Sequence, residues 1–95
     1  MYNFDGDIKD IKELVAEFKV RQENISFPVG IKIWKINENK YEPILSHCFQ
    51  EPGCATIYGA PTLGTAESIQ KALELAVNYG IPKNIINYEE NLAFR

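Results

Sequence analysis

The chain has 95 residues, 45% of them hydrophobic and 24% charged, which fits one globular domain and excludes a disordered tract. Ten Lys and Arg face thirteen Asp and Glu, for a formal charge of −3, so the basic surface that nucleic acids and anionic membranes require is missing. No segment approaches the ~20 apolar residues of a membrane span, and two cysteines do not make a disulfide scaffold.

The opening "MYNFDGDIKD" carries neither a basic region nor an apolar run, so a signal peptide is not expected and the cytoplasm is the expected compartment. Ile8, Ile11, Leu14, Val15 and Phe18 fall at helical spacing and predict a first helix from Asp7 to about Arg21. Asp5 or Asp7 caps it, and Asp10 suits the positive end of its dipole. Lys9–Glu13 and Glu17–Arg21 are opposite charges four residues apart. Asp5, Asp7 and Asp10 lack the full calcium-loop pattern and read as a capped helix start.

"VGIKIWKI" predicts a strand from Val29 to Ile36, with Val29, Ile31 and Ile33 facing one way and Lys32, Trp34 and Ile36 the other. "NENK" makes a turn, and a second strand is expected from Tyr41 to Phe49, forming a hairpin with the first. "QEPG" reverses the chain, and "CATIYG" is a short third strand. The turn "APTLGT" then leads into a second helix over Ala66–Tyr79, capped by Thr65, with Ala66, Ile69, Leu73, Ala76 and Val77 on its buried stripe. Gly80 suits the left-handed position after the helix, Ile81 closes it and Pro82 stops it. "NIINYEE" is a final strand or a tail. The expected architecture is α+β: a small antiparallel sheet with two helices on one face, in the order α-β-β-β-α(-β).

Four features bear on chemistry: a turn, a cysteine-bearing strand, the acid–base and nucleophile patterns, and a sheet face. "GAPTLGTA" lacks the lysine of a phosphate-binding loop and the glycine spacing of a dinucleotide fingerprint. The amides of Ala66 and Glu67, with the hydroxyls of Thr62 and Thr65, form a weak anion site; the plain reading is a turn and a cap. In "SHCFQEPGC", His47 and Cys48 are adjacent and point to opposite faces of a strand. Cys48 and Cys54 flank the turn. Ordinary thiols are the main reading, with a reversible disulfide or a metal held by His47, Cys48 and Cys54 as alternatives; the five-residue spacing and single histidine fall short of a four-ligand zinc site. No paired carboxylates, oriented histidine or nucleophile elbow indicate an enzyme, and no cofactor is expected. The fourth candidate is the second face of the sheet, where Lys32, Trp34, Ile36 and Tyr58 make an amphipathic patch that Tyr41 could also join.

The order helix, three strands, helix over Asp7–Tyr79 resembles the double-stranded RNA-binding domain. That resemblance implies helix and loop contacts to successive minor grooves and to phosphates. The family begins its second helix with a lysine-rich motif; the matching stretch here is "GTAESIQKALEL", with Glu67 and only Lys71. The resemblance thus covers element order and stops short of the residues that hold RNA. The leading expectation is a small protein-interaction or regulatory domain, self-associating or bound to a protein partner through the open sheet face or an exposed strand edge. A ligand or metal binder is the alternative, and a dsRNA-binding-like domain the weaker one.

Overall fold

A computed structural model describes residues 11–23, 25–55 and 63–94. Three strands come first: β1 (Glu13–Val20), β2 (Val29–Asn37) and β3 (Lys40–Leu45), antiparallel in the order β1-β2-β3. After one residue, β4 (His47–Gln50) pairs antiparallel with β5 (Asn87–Glu90) in a second, two-stranded sheet. Between β4 and β5 lies a helix, α1 (Ile69–Leu75), which widens into a π turn over Ala76–Gly80. A 3-10 turn, Leu92–Phe94, follows β5. The fold is mixed α and β with antiparallel pairing, and one helix rather than two occurs among the described residues.

The expected first helix is overturned over residues 13–20. Val20 lies opposite Val29, Phe18 opposite Ile31 and Ala16 opposite Ile33. Two patterns overlap in this stretch. Leu14, Val15 and Phe18 suit a helix, but Ala16, Phe18 and Val20 alternate with Glu17 and Lys19 as a strand requires. A helix here would have gained a few tenths of a kcal/mol from its ion pairs, whereas the strand completes the hydrogen bonding of β2. Val15 is the extra residue of a bulge between Leu14 and Ala16, which lets Val15 and Ala16 both reach the core. Residues 7–10 of the expected helix lie outside the described residues. With β1 in place of a helix over residues 13–20, the described residues do not show the order helix, three strands, helix on which the likeness to the double-stranded RNA-binding domain rests.

The alternation of β2 is as expected. Val29, Ile31 and Ile33 are almost fully buried, whereas Lys32, Trp34 and Ile36 are half-buried on the other side. Leu45, Phe49, Ala72, Ala76 and Ile81 complete the core, and Phe18, Ile69, Leu73 and Val77 pack around it. All of this apolar burial lies on one side of the three-stranded sheet, under α1.

The expected single strand Tyr41–Phe49 breaks at Ser46. Ser46 N–H donates to the Gly30 carbonyl (2.9 Å) as an ordinary ladder bond. The return bond is altered: Gly30 N–H donates to the Ser46 hydroxyl (2.8 Å), not to its carbonyl. The freed carbonyl accepts from Asn91 N–H (2.8 Å) at the end of β5. One serine side chain thus stands in for a backbone acceptor and lets the chain pass from one sheet to the other.

Asn91 is the buried polar residue that holds this junction, at 8% exposure. Its side-chain amide donates to the Leu45 carbonyl (2.9 Å), and its oxygen accepts from Ala93 N–H (3.1 Å). Burial of an amide is tolerable only when both ends are bonded, as here.

The helix starts later than expected. Ala66 forms a bridge with Tyr41 in which each residue's N–H donates to the other's carbonyl, both at 2.8 Å. That extended geometry keeps Ala66 out of the helix, so Ser68 rather than Thr65 is the cap, accepting from Lys71 N–H (3.1 Å). Gly80 is not left-handed; among the described residues only Gly53 and Gly64 are. It is required by contact instead, because a Cβ there would lie 2.5 Å from Leu45 Cδ1. The expected third strand falls on Cys54 and Ala55, which lie in a turn, and on 56–59, outside the described residues.

Candidate functional site

The face of the three-stranded sheet opposite the core is the principal surface not covered by a described helix. Its central row runs Leu14, Trp34, Glu42 across β1, β2 and β3. The next row is Glu17, Lys32, Ile44. Direct cross-strand partners share a face, so these rows lie side by side. Leu14 is 42% exposed, while Trp34, Ile36 and Ile44 are half-buried. Lys12 Nζ reaches Glu42 Oε1 at 3.3 Å and bounds the patch on one side, both groups being partly exposed. Such a pair is worth about 0–1 kcal/mol and acts mainly as a polar rim.

The other end of this face is closed by the C-terminal turn. Phe94 lies on Gly30 so closely that a Cβ there would meet its Cζ at 2.7 Å. The Lys32 ammonium donates to the Phe94 carbonyl and sits 4.4 Å from the centre of its ring. Of the four residues expected on this patch, Trp34 and Ile36 form part of it and Lys32 instead anchors the tail. Tyr58 is outside the described residues. Tyr41 is on the core side, opposite Lys35, and packs on the core. Leu14, Ile44 and Phe94 belong to the surface and were missed. Leu14 becomes legible once β1 is read as a strand, because the register then sets it beside Trp34; Ile44 follows from the β2–β3 register, which sets it beside Lys32.

The edges of the sheet differ. On β3, Tyr41 directs both its backbone groups away from β2, to Ala66. By alternation Pro43 and Leu45 point the same way. Pro43 has no N–H to leave unpaired, and the Leu45 carbonyl is taken by Asn91. This edge is covered. On β1, no described segment pairs with the edge away from β2.

The His47, Cys48 and Cys54 cluster does not assemble. His47 lies among rings, 4.5 Å from Phe27 and 5.9 Å from Tyr88 between centroids. Its Nδ1 bonds the Ser46 hydroxyl at 2.7 Å. That hydroxyl already accepts from Gly30 N–H, so the pair serves the strand junction. Cys48 points into the core at 4% exposure, opposite Glu89 on β5. Burial, and then the Glu89 carboxylate, push its thiol above the usual range, the opposite of what a reactive thiolate needs. Cys54 sits in the turn after β4, where its N–H donates to the Glu51 carbonyl (3.2 Å) and its carbonyl accepts from Gln50 Nε2 (2.7 Å). No disulfide joins the two cysteines. Among the described residues no three His, Cys, Asp or Glu side chains are grouped as a metal ion requires.

One of the two amides expected at the anion site is already engaged. The Ala66 amide is bonded to Tyr41, Thr65 is exposed ahead of the helix, and Thr62 lies outside the described residues. Among the described residues no helix is long and apolar enough to cross a membrane. No protein-family model matches the chain, and neither does any curated protein or solved structure.

Proposed function

We propose that the chain is a small, non-catalytic, cytoplasmic interaction domain that self-associates through its three-stranded sheet. One observation carries this reading: Trp34 sits half-buried between Leu14 and Glu42 on the sheet face that no described helix covers. An indole flanked by a partly exposed leucine, with Ile36 and Ile44 nearby and an ion pair at the rim, has the composition of an interface core. Aromatic groups bury much area there for little loss of side-chain freedom, and charges are kept to the margin. Among the described residues, the thiol of Cys48 is buried and the Ser46 hydroxyl is committed to the backbone, so neither competes with this face.

Sedimentation velocity across a concentration series tests this. The wild-type chain is expected to self-associate, and Trp34→Glu to weaken that association while circular dichroism shows the fold intact. A wild-type chain that stays monomeric into the hundreds of micromolar would overturn the reading.

A further inference from the structure

The edge of β1 specifies how two copies would join. Because Tyr41 points its backbone groups outward from β3, alternation fixes the whole ladder. Ile31 and Ile33 then direct theirs toward β1, where they meet Phe18 and Ala16. The outward-pointing groups of β1 are therefore those of Glu17 and Lys19. These two residues also place their side chains on the outer face, opposite Lys32 and Gly30, and both are exposed. The bulge at Val15 reverses the phase before it, since Glu13 pairs with Lys35. Ala16–Val20 is thus the regular stretch of this edge, with no described segment paired to it.

We propose that β1 pairs antiparallel with β1 of a second copy, about a two-fold axis through Phe18. The inference rests on the self-association proposed above and adds a contact distinct from the Trp34 face, which this ladder does not cover. Two-fold pairing must set outward-pointing residues opposite one another, which leaves three registers within the regular stretch. Centring on Glu17 opposes two carboxylates, and centring on Lys19 opposes two ammonium groups. Centring on Phe18 sets Glu17 opposite the second copy's Lys19, and Lys19 opposite its Glu17. Opposite charges directly across an antiparallel pair stabilise it and like charges destabilise it, so charge selects one register from three. The same register brings the two Phe18 side chains together on the core side and matches Ala16 with Val20. All three residues are half-buried in one copy.

The product is a continuous six-stranded sheet in which the two Trp34 faces lie on the same side. Lysines and bulges on edge strands commonly prevent such pairing. Here the bulge is confined to one end, and the lysine has a complementary glutamate two residues away. A five-residue ladder gives a weak, reversible dimer rather than an obligate one.

Charge reversal tests the geometry, read as the dimer dissociation constant by sedimentation. Lys19→Glu sets Glu opposite Glu at two places and is expected to weaken the dimer about tenfold or more. Adding Glu17→Lys in the same chain restores opposite pairs and is expected to recover most of the loss. Circular dichroism checks that each variant folds. A wild-type dimer indifferent to Lys19→Glu, or one that the double reversal fails to recover, would overturn the edge pairing and leave self-association standing. A monomeric wild type would overturn both.

Discussion

Cys48 shows how one side chain's surroundings decide its chemistry. A thiol between the core and the Glu89 carboxylate holds its proton more tightly than one in water. Between the unfolded and folded pKa values, the unfolded chain has lost that proton and the folded chain has kept it. Stability from this group is therefore complete below the thiol's ordinary pKa and falls as pH rises above it, toward the raised folded value. The urea midpoint is expected to drop between pH 8 and pH 10 in the wild type, and to drop less in Cys48→Ala. In the same pH range a thiol reagent should modify Cys54 well before Cys48, because Cys54 is partly exposed and Cys48 is not. Equal rates for the two thiols would show that Cys48 is not shielded as described.

At the scale of elements, the end of α1 depends on shape more than on intrinsic preference. Alanine favours a helix over glycine by about 1 kcal/mol, yet Gly80→Ala is expected to destabilise the fold by about 1–3 kcal/mol, because the new methyl meets Leu45 Cδ1 and Leu63 Cδ1. Thermal or urea melts measure this, and Leu45→Val in the same chain should recover part of the loss. Gly80 also illustrates what a sequence can convey. A glycine before a proline marks the end of a helix correctly, but the reason it must be glycine lies on another strand, 35 positions earlier by residue number. The alternation of β2 was legible because Val29, Ile31 and Ile33 are apolar in unbroken period two. β1 was not, because its bulge at Val15 interrupts that period and leaves a helix-like spacing at Leu14, Val15 and Phe18. The late start of α1 was hidden for a related reason: Ala66 has strong helical preference and is held extended only by its bridge to Tyr41. The side of the sheet that Trp34 takes follows from its alternation with Ile33, whereas the tie between Lys32 and Phe94 depends on a contact across 62 positions and has no local signature.

At the scale of the whole molecule, two sheets share one run of chain, and Asn91 joins them. The bond from its side chain to the Leu45 carbonyl spans 46 positions, and losing it leaves a buried acceptor unpaired, at a cost of about 1–3 kcal/mol. Such a long closure also carries a timing. Hairpins such as β2–β3 form from neighbouring residues, while contacts between distant residues wait for the entropy of closing the intervening loop to be overcome. The clasp at Asn91 therefore belongs to the last stage of folding, after the rate-limiting barrier has been crossed. In stopped-flow measurements, Asn91→Ala should speed unfolding by roughly the whole loss in stability and leave the refolding rate nearly unchanged, a φ-value close to zero. Refolding slowed in full proportion would instead put the joining of the two sheets at the barrier itself. With a late clasp, the molecule's lifetime against unfolding is set by its final few described residues, while its speed of assembly is left to the hairpin.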